Sequence, residues 1–265
     1  MAVPTGRSIK LTPSILLAAV CAAGMGLTPT TDASFAGPTV MLDWSASGSG
    51  QSSSFLMHEH SDNDWFDSST NAWSFQGGAN KSAWGLNWVV EAANSPGALA
   101  GTLPANQFVN ANLAVTNNTD SYQTFVGLVT FLLPTEFQGG TLMNGSVSAS
   151  VQDVFGTGAE IRSVDDQPIY QALIDGANVQ DLISSNFSLT ANGGATESAS
   201  DSFGIPSPVS GPVAMESISV LLTFELSPHD TANVVGSFEI AAIPAPGAMA
   251  LFAGLGLFSS RRRRP

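Results

Sequence analysis

The chain has 265 residues, a net charge of −13 at neutral pH and hydrophobic residues at 43% of its positions. A chain of this length can bury a substantial core. Its acidity excludes a nucleic-acid partner, because phosphates repel such a surface. The only cysteine is Cys21, which excludes disulfides and cysteine-ligated zinc from the rest of the chain.

The N-terminus has the pattern of a secretory signal peptide. Two basic residues precede the apolar run Ile15 to Ala23, and this order and length are typical of such signals. Small residues fit a cleavage site after Ala36, with a site after Ala33 as the alternative. We therefore predict a signal peptide over residues 1–36 and an exported mature chain.

The acidic residues lie almost entirely between the two ends of the chain. Residues 37–242 contain twenty acidic residues and two basic residues, Lys81 and Arg162, which is a charge of about −18. Such a surface favours solubility and attracts divalent cations or basic partners. With two cations available, salt-bridge networks cannot hold this domain together.

Short β-prone runs dominate residues 37–242. Several alternate apolar and polar residues with a period close to two, and turn-forming residues separate them. The link Asn117 to Ser121 indicates either a hairpin or a connection between two sheets. The runs are Thr39 to Trp44, Ser82 to Glu91, Ala111 to Thr116, Tyr122 to Leu133, Ser146 to Phe155, Phe187 to Ala191, Glu216 to Leu226 and Val234 to Ala241. They predict one all-β domain, an antiparallel β-sandwich of the jelly-roll or immunoglobulin-like type.

Three stretches depart from this strand pattern. Pro168 to Ile183 spaces its apolar residues like one face of a helix, although Gly176 interrupts it. Asp165-Asp166 stand before it as capping residues, with a cation site as the alternative. Ser45 to Ser54 is nearly all Ser and Gly, which predicts a flexible link. Ala191 to Pro212 is rich in Gly, Ser, Pro and Ala, which predicts a long loop.

The densest polar cluster runs from His58 to Asp67. We interpret it as a solvated acidic loop. Calcium held by Asp62, Asp64 and Asp67 is one alternative, because hard cations favour several carboxylate oxygens. A transition metal held by His58 and His60, on one face of a strand, is the other.

Aromatic residues concentrate between Trp65 and Trp88. We interpret them as core packing, and an aromatic platform for a carbohydrate is the alternative. Enzyme motifs are missing: the sequence has no Gly-x-Ser-x-Gly elbow, no phosphate loop and no His-Glu-x-x-His. We do not expect an enzyme, and a secreted hydrolase without recognisable motifs is the remaining alternative.

The last residues have the order of a membrane-sorting tail. Ile243 to Gly247 contains two prolines, the run Ala248 to Phe258 has no charged or hydrogen-bonding side chain, and four arginines follow at positions 261–264. Pro disfavours helix in the residue before it, which marks an extended entry. The apolar run is shorter than the ~20 residues of a comfortable span, but a thinned bilayer and a snorkelling arginine can accommodate it. We predict a transmembrane helix over 248–258 with the arginines on the cytoplasmic side.

This tail resembles the PEP-CTERM sorting signal, which is also catalogued as the ice-binding protein C-terminal domain. The resemblance covers residues 243–265, and Ala245 stands where the commonest version has Glu. It implies an N-terminal signal peptide and processing by an exosortase, and it concerns sorting rather than an antifreeze activity. The sorting residues it implies are Pro244, Pro246, Gly247, Arg261, Arg262, Arg263 and Arg264.

These features predict an exported protein that is held transiently in the cell membrane and then processed to the cell surface or extracellular matrix. The expected role is structural or adhesive. The resemblance implies an exosortase-type enzyme as partner and an association with exopolysaccharide. A calcium- or carbohydrate-binding surface module is the alternative, and apart from that calcium no cofactor is predicted.

Overall fold

The computed structural model describes residues 38–47, 51–57, 64–67, 72–95 and 106–243. Within these ranges the regular elements are all β-strands, which confirms the all-β prediction. The predicted signal peptide 1–36 and the tail from Pro244 onwards, including the helix 248–258, lie outside the described residues. Nothing in the described ranges is a helix of the length and apolar character that a membrane crossing requires.

The strands in chain order are β1 (Thr39–Ala46), β2 (Gln51–Met57), β3 (Asp64–Asp67), β4 (Ala72–Asn80), β5 (Trp84–Ser95), β6 (Asn106–Asn117), β7 (Gln123–Leu132), β8 (Thr141–Gln152), β9 (Ala159–Arg162), β10 (Tyr170–Ile174), β11 (Ala177–Leu182), β12 (Ser188–Ala191), β13 (Thr196–Phe203), β14 (Val209–Gly211), β15 (Ser217–Leu226) and β16 (Thr231–Ala242). They form two antiparallel sheets of eight described strands each. The first sheet has the order β11-β10-β15-β7-β1-β2, with β9 beside β15 and β12 beside β9. The second has the order β13-β8-β16-β6-β5-β4-β3, with β14 beside β8.

The two sheets share one hydrophobic core. Along β1, Val40, Leu42 and Trp44 are buried while the residues between them are partly exposed, as the two-residue period of a strand requires. Trp44 stacks on Phe125 of its own sheet at 5.5 Å and meets Trp84 of the second sheet edge-on at 6.2 Å. Buried side chains of both sheets belong to the same cluster, so each sheet covers the apolar face of the other.

The link between β6 and β7 connects the two sheets. β6 belongs to the second sheet and β7 to the first, so the sheet-to-sheet alternative is correct and the hairpin alternative is wrong. The connection brings residues 118–122 to one end of both sheets.

The helix predicted for Pro168 to Ile183 is wrong. This segment forms the hairpin of β10 and β11, whose turn residues Asp175 and Gly176 have φ of 50° and 77°. Two positive φ values are the mark of a type I′ turn, for which Asp-Gly is a preferred pair. Asp165 therefore caps no helix: it has a φ of 47° in a turn closed by the Gln167 amide on the Val164 carbonyl at 2.8 Å.

Two segments predicted as loops contain strands. Ser45 to Ser54 supplies the end of β1 and the start of β2, which pair with each other, and residues 48–50 lie outside the described ranges. Ala191 to Pro212 supplies β13 and β14, which both pair with β8. β2 and β13 lie at edges of their sheets and carry many serines, so neither shows the apolar alternation that reveals a strand.

The turn at Gly176 provides a first test of the hairpin. We expect Gly176→Ala to lower the free energy of unfolding by about 1–2 kcal/mol, because a Cβ disfavours the left-handed backbone that this residue adopts. Denaturant unfolding measures the change. Gly139→Ala is the control, because its Cβ would have no neighbouring atom closer than 3.9 Å, and we expect a change within about 0.5 kcal/mol. Equal stability of the two variants would contradict the type I′ turn.

Candidate functional site

Several connections meet at one end of the two sheets, and we call them the loop cluster. The Asn118 amide donates to the Ala83 carbonyl at 2.9 Å, and the Asn117 amide donates to the Asp230 carbonyl at 3.0 Å. The Val154 amide donates to a carboxylate oxygen of Asp230 at 3.4 Å. The loop cluster comprises residues 81–83, 118–122, 153–158 and 227–230. Loops that a rigid scaffold positions in this way are common places for binding.

Buried Asn117 joins two of these connections. Its side-chain nitrogen donates to the carbonyls of Ser121, Leu226 and Ser227 at 2.8, 3.0 and 3.0 Å. Its side-chain oxygen accepts from the amide and hydroxyl of Thr119 at 3.0 and 2.8 Å. One side chain therefore satisfies backbone groups of both the β6–β7 and the β15–β16 connection, which fixes their relative position.

Buried Asp153 holds the β8–β9 connection. Its carboxylate accepts backbone N–H bonds from Gly156 at 2.7 Å, Thr157 at 3.1 Å and Gly194 at 3.1 Å. Burial alone raises the pKa of the Asp153 carboxyl, but the amides of Gly194, Gly156, Gly158 and Thr157 stabilise the charged form and hold the pKa below its ordinary value of 3.8. The loop that carries Phe155 is therefore ordered by a charged, fully bonded side chain.

The lowered pKa of Asp153 predicts that its carboxylate contributes to the loss of folding stability at acid pH. Because the folded-state pKa lies below the unfolded value, this contribution is present above about pH 4 and is lost as pH falls through the folded pKa. We expect Asp153→Asn to be less stable than the wild type at pH 7 and to lose less stability on acidification. Urea unfolding at pH 7 and pH 3 measures both. Exposed Asp166→Asn is the control, and an Asp153→Asn variant with the acid dependence of that control would contradict the assignment.

Three ring side chains converge on a surface depression at the loop cluster. Tyr122, Phe155 and His229 come from three different connections and line a cavity of about 580 Å³ together with Thr157, Gly158, Ser227 and Pro228. Phe155 is 69% exposed, and its ring meets the His229 ring edge-on at 6.2 Å. The Nε2 atom of His229 lies 2.7 Å from a carboxylate oxygen of Asp120, whose side chain is fully exposed.

Tyr122 is held by its neighbours on β9. Its hydroxyl donates to Glu160 at 2.7 Å, and this hydrogen bond is the main cause that raises the pKa of Tyr122. The guanidinium of Arg162 lies 4.3 Å from the ring centroid, within the range of a cation–π contact. Arg162 also donates to Glu225 at 2.7 Å. The Tyr122 hydroxyl and one face of its ring are therefore both occupied.

The outward face of the second sheet is a second, different surface, which we call the polar face. Its polar residues are Ser74, Gln76, Asn80, Asn87, Glu91, Asn106, Asn110, Asn112, Thr116, Asn144, Ser146, Ser148, Ser150, Gln152, Thr196, Ser198, Ser200, Ser202, Thr231, Asn233, Ser237 and Glu239. The apolar positions on the same side of the sheet are Trp65, Ala72, Val89, Ala93, Phe108, Ala114, Leu142, Val235 and Ala241. Neighbouring strands of a sheet are about 4.8 Å apart, so the side chains of the polar face recur at that spacing across the sheet.

Hydrogen bonds run across the polar face from strand to strand. Glu239 accepts from the side-chain nitrogens of Asn106 and Asn144 at 3.0 and 2.9 Å. Glu91 accepts from Asn110 at 3.1 Å, and the hydroxyls of Ser146 and Ser237 lie 2.8 Å apart. Both carboxylates are thus bonded to neutral donors, and Asp67 on the edge strand β3 is a third carboxylate on the same side of the sheet.

A shallow depression of about 470 Å³ lies on the polar face. The exposed amides of Gln76, Asn87 and Asn112 line it. A Cβ at Gly78 would lie 2.7 Å from the side-chain oxygen of Asn87, so a larger residue there would displace this amide. Three primary amides in one depression offer both donors and acceptors.

The structure places two of the three candidate calcium ligands. Asp64 and Asp67 lie in β3 and not in a loop, and residues three apart in a strand point to opposite faces. Asp64 pairs with core residue Phe75, whereas Asp67 lies on the side of the polar face. Asp62, His58 and His60 are outside the described residues. Within the described ranges no group of three or more potential ligand side chains lies close enough to hold a metal, and the calcium site stays a prediction.

The aromatic stretch does not form one platform. Phe75, Trp84 and Trp88 are buried, and Trp73 packs against the core, as the packing interpretation expects. Trp65 and Phe66 are 46% exposed at the edge strand on opposite faces. The sorting residues Pro244, Pro246, Gly247 and Arg261 to Arg264 are outside the described residues.

Comparisons with known proteins leave the family open. No protein-family model matches the chain, and no curated protein matches it. A solved structure of infectious bursal disease virus, Gx strain, is similar at 13% identity over 83% of this chain, with a TM-score of 0.19. The chain spans 60% of that viral chain. A likeness at this TM-score supports no statement about the fold or function of this chain.

Proposed function

We propose that the chain is an exported protein of the cell surface or extracellular matrix with a structural or adhesive role. Residues 1–36 act as the signal peptide, and residues 243–265 act as the sorting tail for an exosortase-type enzyme. The tail holds the protein transiently in the cell membrane before processing. The support for export and sorting is the order of charged, apolar and proline residues at the two ends of the sequence.

The domain of residues 37–242 is, in this proposal, a β-sandwich of the jelly-roll or immunoglobulin-like type. The support is the shared core, in which Trp44 of the first sheet contacts Trp84 of the second. Two antiparallel sheets that bury one face each against a common core are the basis of a sandwich. Their other faces are then available to partners.

The polar face is the feature that supports the adhesive role best. Its regularly spaced hydroxyls and amides suit contact with an uncharged, hydroxyl-rich polymer, because many weak hydrogen bonds along one chain add up to firm attachment. Three carboxylates, those of Asp67, Glu91 and Glu239, lie on this side of the sheet, and most of the acidic residues lie elsewhere. Exopolysaccharide is the partner class that this chemistry supports.

A carbohydrate-binding surface module is the second candidate, and the depression of Gln76, Asn87 and Asn112 favours it. An amide presents a donor and an acceptor side by side, which matches neighbouring hydroxyls of a sugar ring. The volume of about 470 Å³ is within the range of small-molecule sites. Both candidate functions use the polar face. The carbohydrate-binding module recognises one particular sugar unit, whereas the adhesive protein contacts the polymer along its length.

Co-sedimentation with exopolysaccharide purified from the native host tests the polar face. We expect the protein to sediment with the polymer and the variant Gln76→Ala/Asn87→Ala/Asn112→Ala to bind about 10- to 100-fold more weakly, from three lost hydrogen bonds. A matched control replaces three exposed amides elsewhere, as Asn118→Ala/Gln138→Ala/Asn192→Ala. Equal binding of both variants would contradict the polar face as the contact. Inhibition by one short oligosaccharide would favour the carbohydrate-binding module.

A further inference from the structure

The depression at the loop cluster is a built surface and not a chance exposure of apolar side chains. Tyr122, Phe155 and His229 reach it from three connections, and each connection is ordered from below. Asn117 bonds two of them together, and Asp153 holds the third. A rigid support beneath exposed rings is what a preorganised binding site requires.

The charges around this depression are almost all negative. Asp120 bonds the His229 ring, Glu160 bonds Tyr122, and Asp230 accepts from the Ser227 hydroxyl at 2.6 Å. The base that contacts these rings is Arg162, which is bonded to Glu225 and already covers one face of the Tyr122 ring at 4.3 Å. The exposed ring of Phe155 is therefore the main contact left for a ligand. The field in the depression therefore repels anions and attracts cations.

Two of the hydroxyls beside the rings are already in use. The Tyr122 hydroxyl donates to Glu160, and the Ser227 hydroxyl donates to Asp230 while accepting from the Glu160 amide at 2.7 Å. A neutral sugar would find few partners for its hydroxyls here. A positively charged group that packs against aromatic rings needs no such partners, because the ring quadrupole and the surrounding carboxylates attract it.

We infer that the depression lined by Tyr122, Phe155 and His229 binds an organic ammonium group, with the charged nitrogen as the part that is recognised. This site is separate from the polar face and does not depend on the proposed function. The ammonium group can be carried by an amino sugar or by an amine side chain of a peptide, and both present the same cation.

Isothermal titration calorimetry on the full chain tests the site with matched probes. The probes are a glucosamine tetrasaccharide, the N-acetylglucosamine tetrasaccharide of the same length, and Nα-acetyl-lysine methylamide. We expect at least one of the two amine probes to bind. If the glucosamine probe binds, the N-acetylated sugar, which has lost the charge, should bind at least tenfold more weakly. Binding of glucosamine alone identifies an amino sugar as the source, and binding of the lysine probe alone identifies a peptide amine.

Variants separate this site from general attraction to an acidic surface. We expect Phe155→Ala to weaken the amine probe at least tenfold, whereas Phe66→Ala, an exposed ring on β3, leaves it unchanged. The triple amide variant of the polar face should also leave it unchanged, so failure here and failure of the proposed function are distinguishable. Equal binding to the wild type and Phe155→Ala, measurable binding of the acetylated sugar that is as tight as that of the glucosamine probe, or no binding of any probe would each overturn the inference.

Discussion

We expect Asn117→Leu to lower the free energy of unfolding by about 3–5 kcal/mol. Leu has nearly the same size, but it removes the donor from the Ser121, Leu226 and Ser227 carbonyls and the acceptor from Thr119. A buried polar group that loses its partner costs about 1–3 kcal/mol, and Asn117 is fully buried. Denaturant unfolding followed by tryptophan fluorescence measures the loss.

The neighbouring residue supplies the control for this prediction. Asn118 is exposed and its side chain makes one long hydrogen bond, to the Lys81 carbonyl at 3.4 Å. We expect Asn118→Ala to change stability by less than about 0.5 kcal/mol. If Asn117→Leu unfolds at the same denaturant concentration as Asn118→Ala, Asn117 does not organise the loop cluster.

The second large effect is expected at Trp44. This side chain is 1% exposed and lies between Phe125 of its own sheet and Trp84 of the second sheet. We expect Trp44→Ala to lower the free energy of unfolding by about 3–5 kcal/mol, because it removes apolar burial and leaves a cavity between the sheets. Trp65→Ala at the exposed edge strand should change it by less than about 1 kcal/mol. Similar losses for the two variants would show that Trp44 does not join the sheets.

The central strands could be predicted from the sequence because their apolar and polar residues alternate between the core face and the outward face. β1, β6, β7, β15 and β16 alternate buried and outward residues, and the alternation gives the strand period directly. Edge strands such as β13 carry no such signal, because most of their side chains meet solvent. The apolar spacing of Pro168 to Ile183 resembled a helix, but the Asp175-Gly176 pair was the stronger signal, since both residues adopt the left-handed backbone of a tight hairpin.

The depression at the loop cluster could not be predicted from the spacing of residues in the sequence. Tyr122, Phe155 and His229 are far apart in sequence, and only the packing of the two sheets brings their connections together. The local signal was that each ring stands within or beside turn-forming residues, where burial in a strand is not available. The polar face was also hidden, because serine and asparagine in alternate positions indicate solvent exposure without indicating that neighbouring strands align them.

Export and sorting are tested most directly by the intact mass of the protein recovered from its native host. We predict a mature form that lacks residues up to about Ala36 and ends between Pro244 and Gly247. Additional mass beyond that polypeptide would reveal an attached glycan or anchor. A form that still carries the N-terminal segment, or one that still ends in Arg264-Pro265, would contradict processing by a signal peptidase or by an exosortase-type enzyme, respectively.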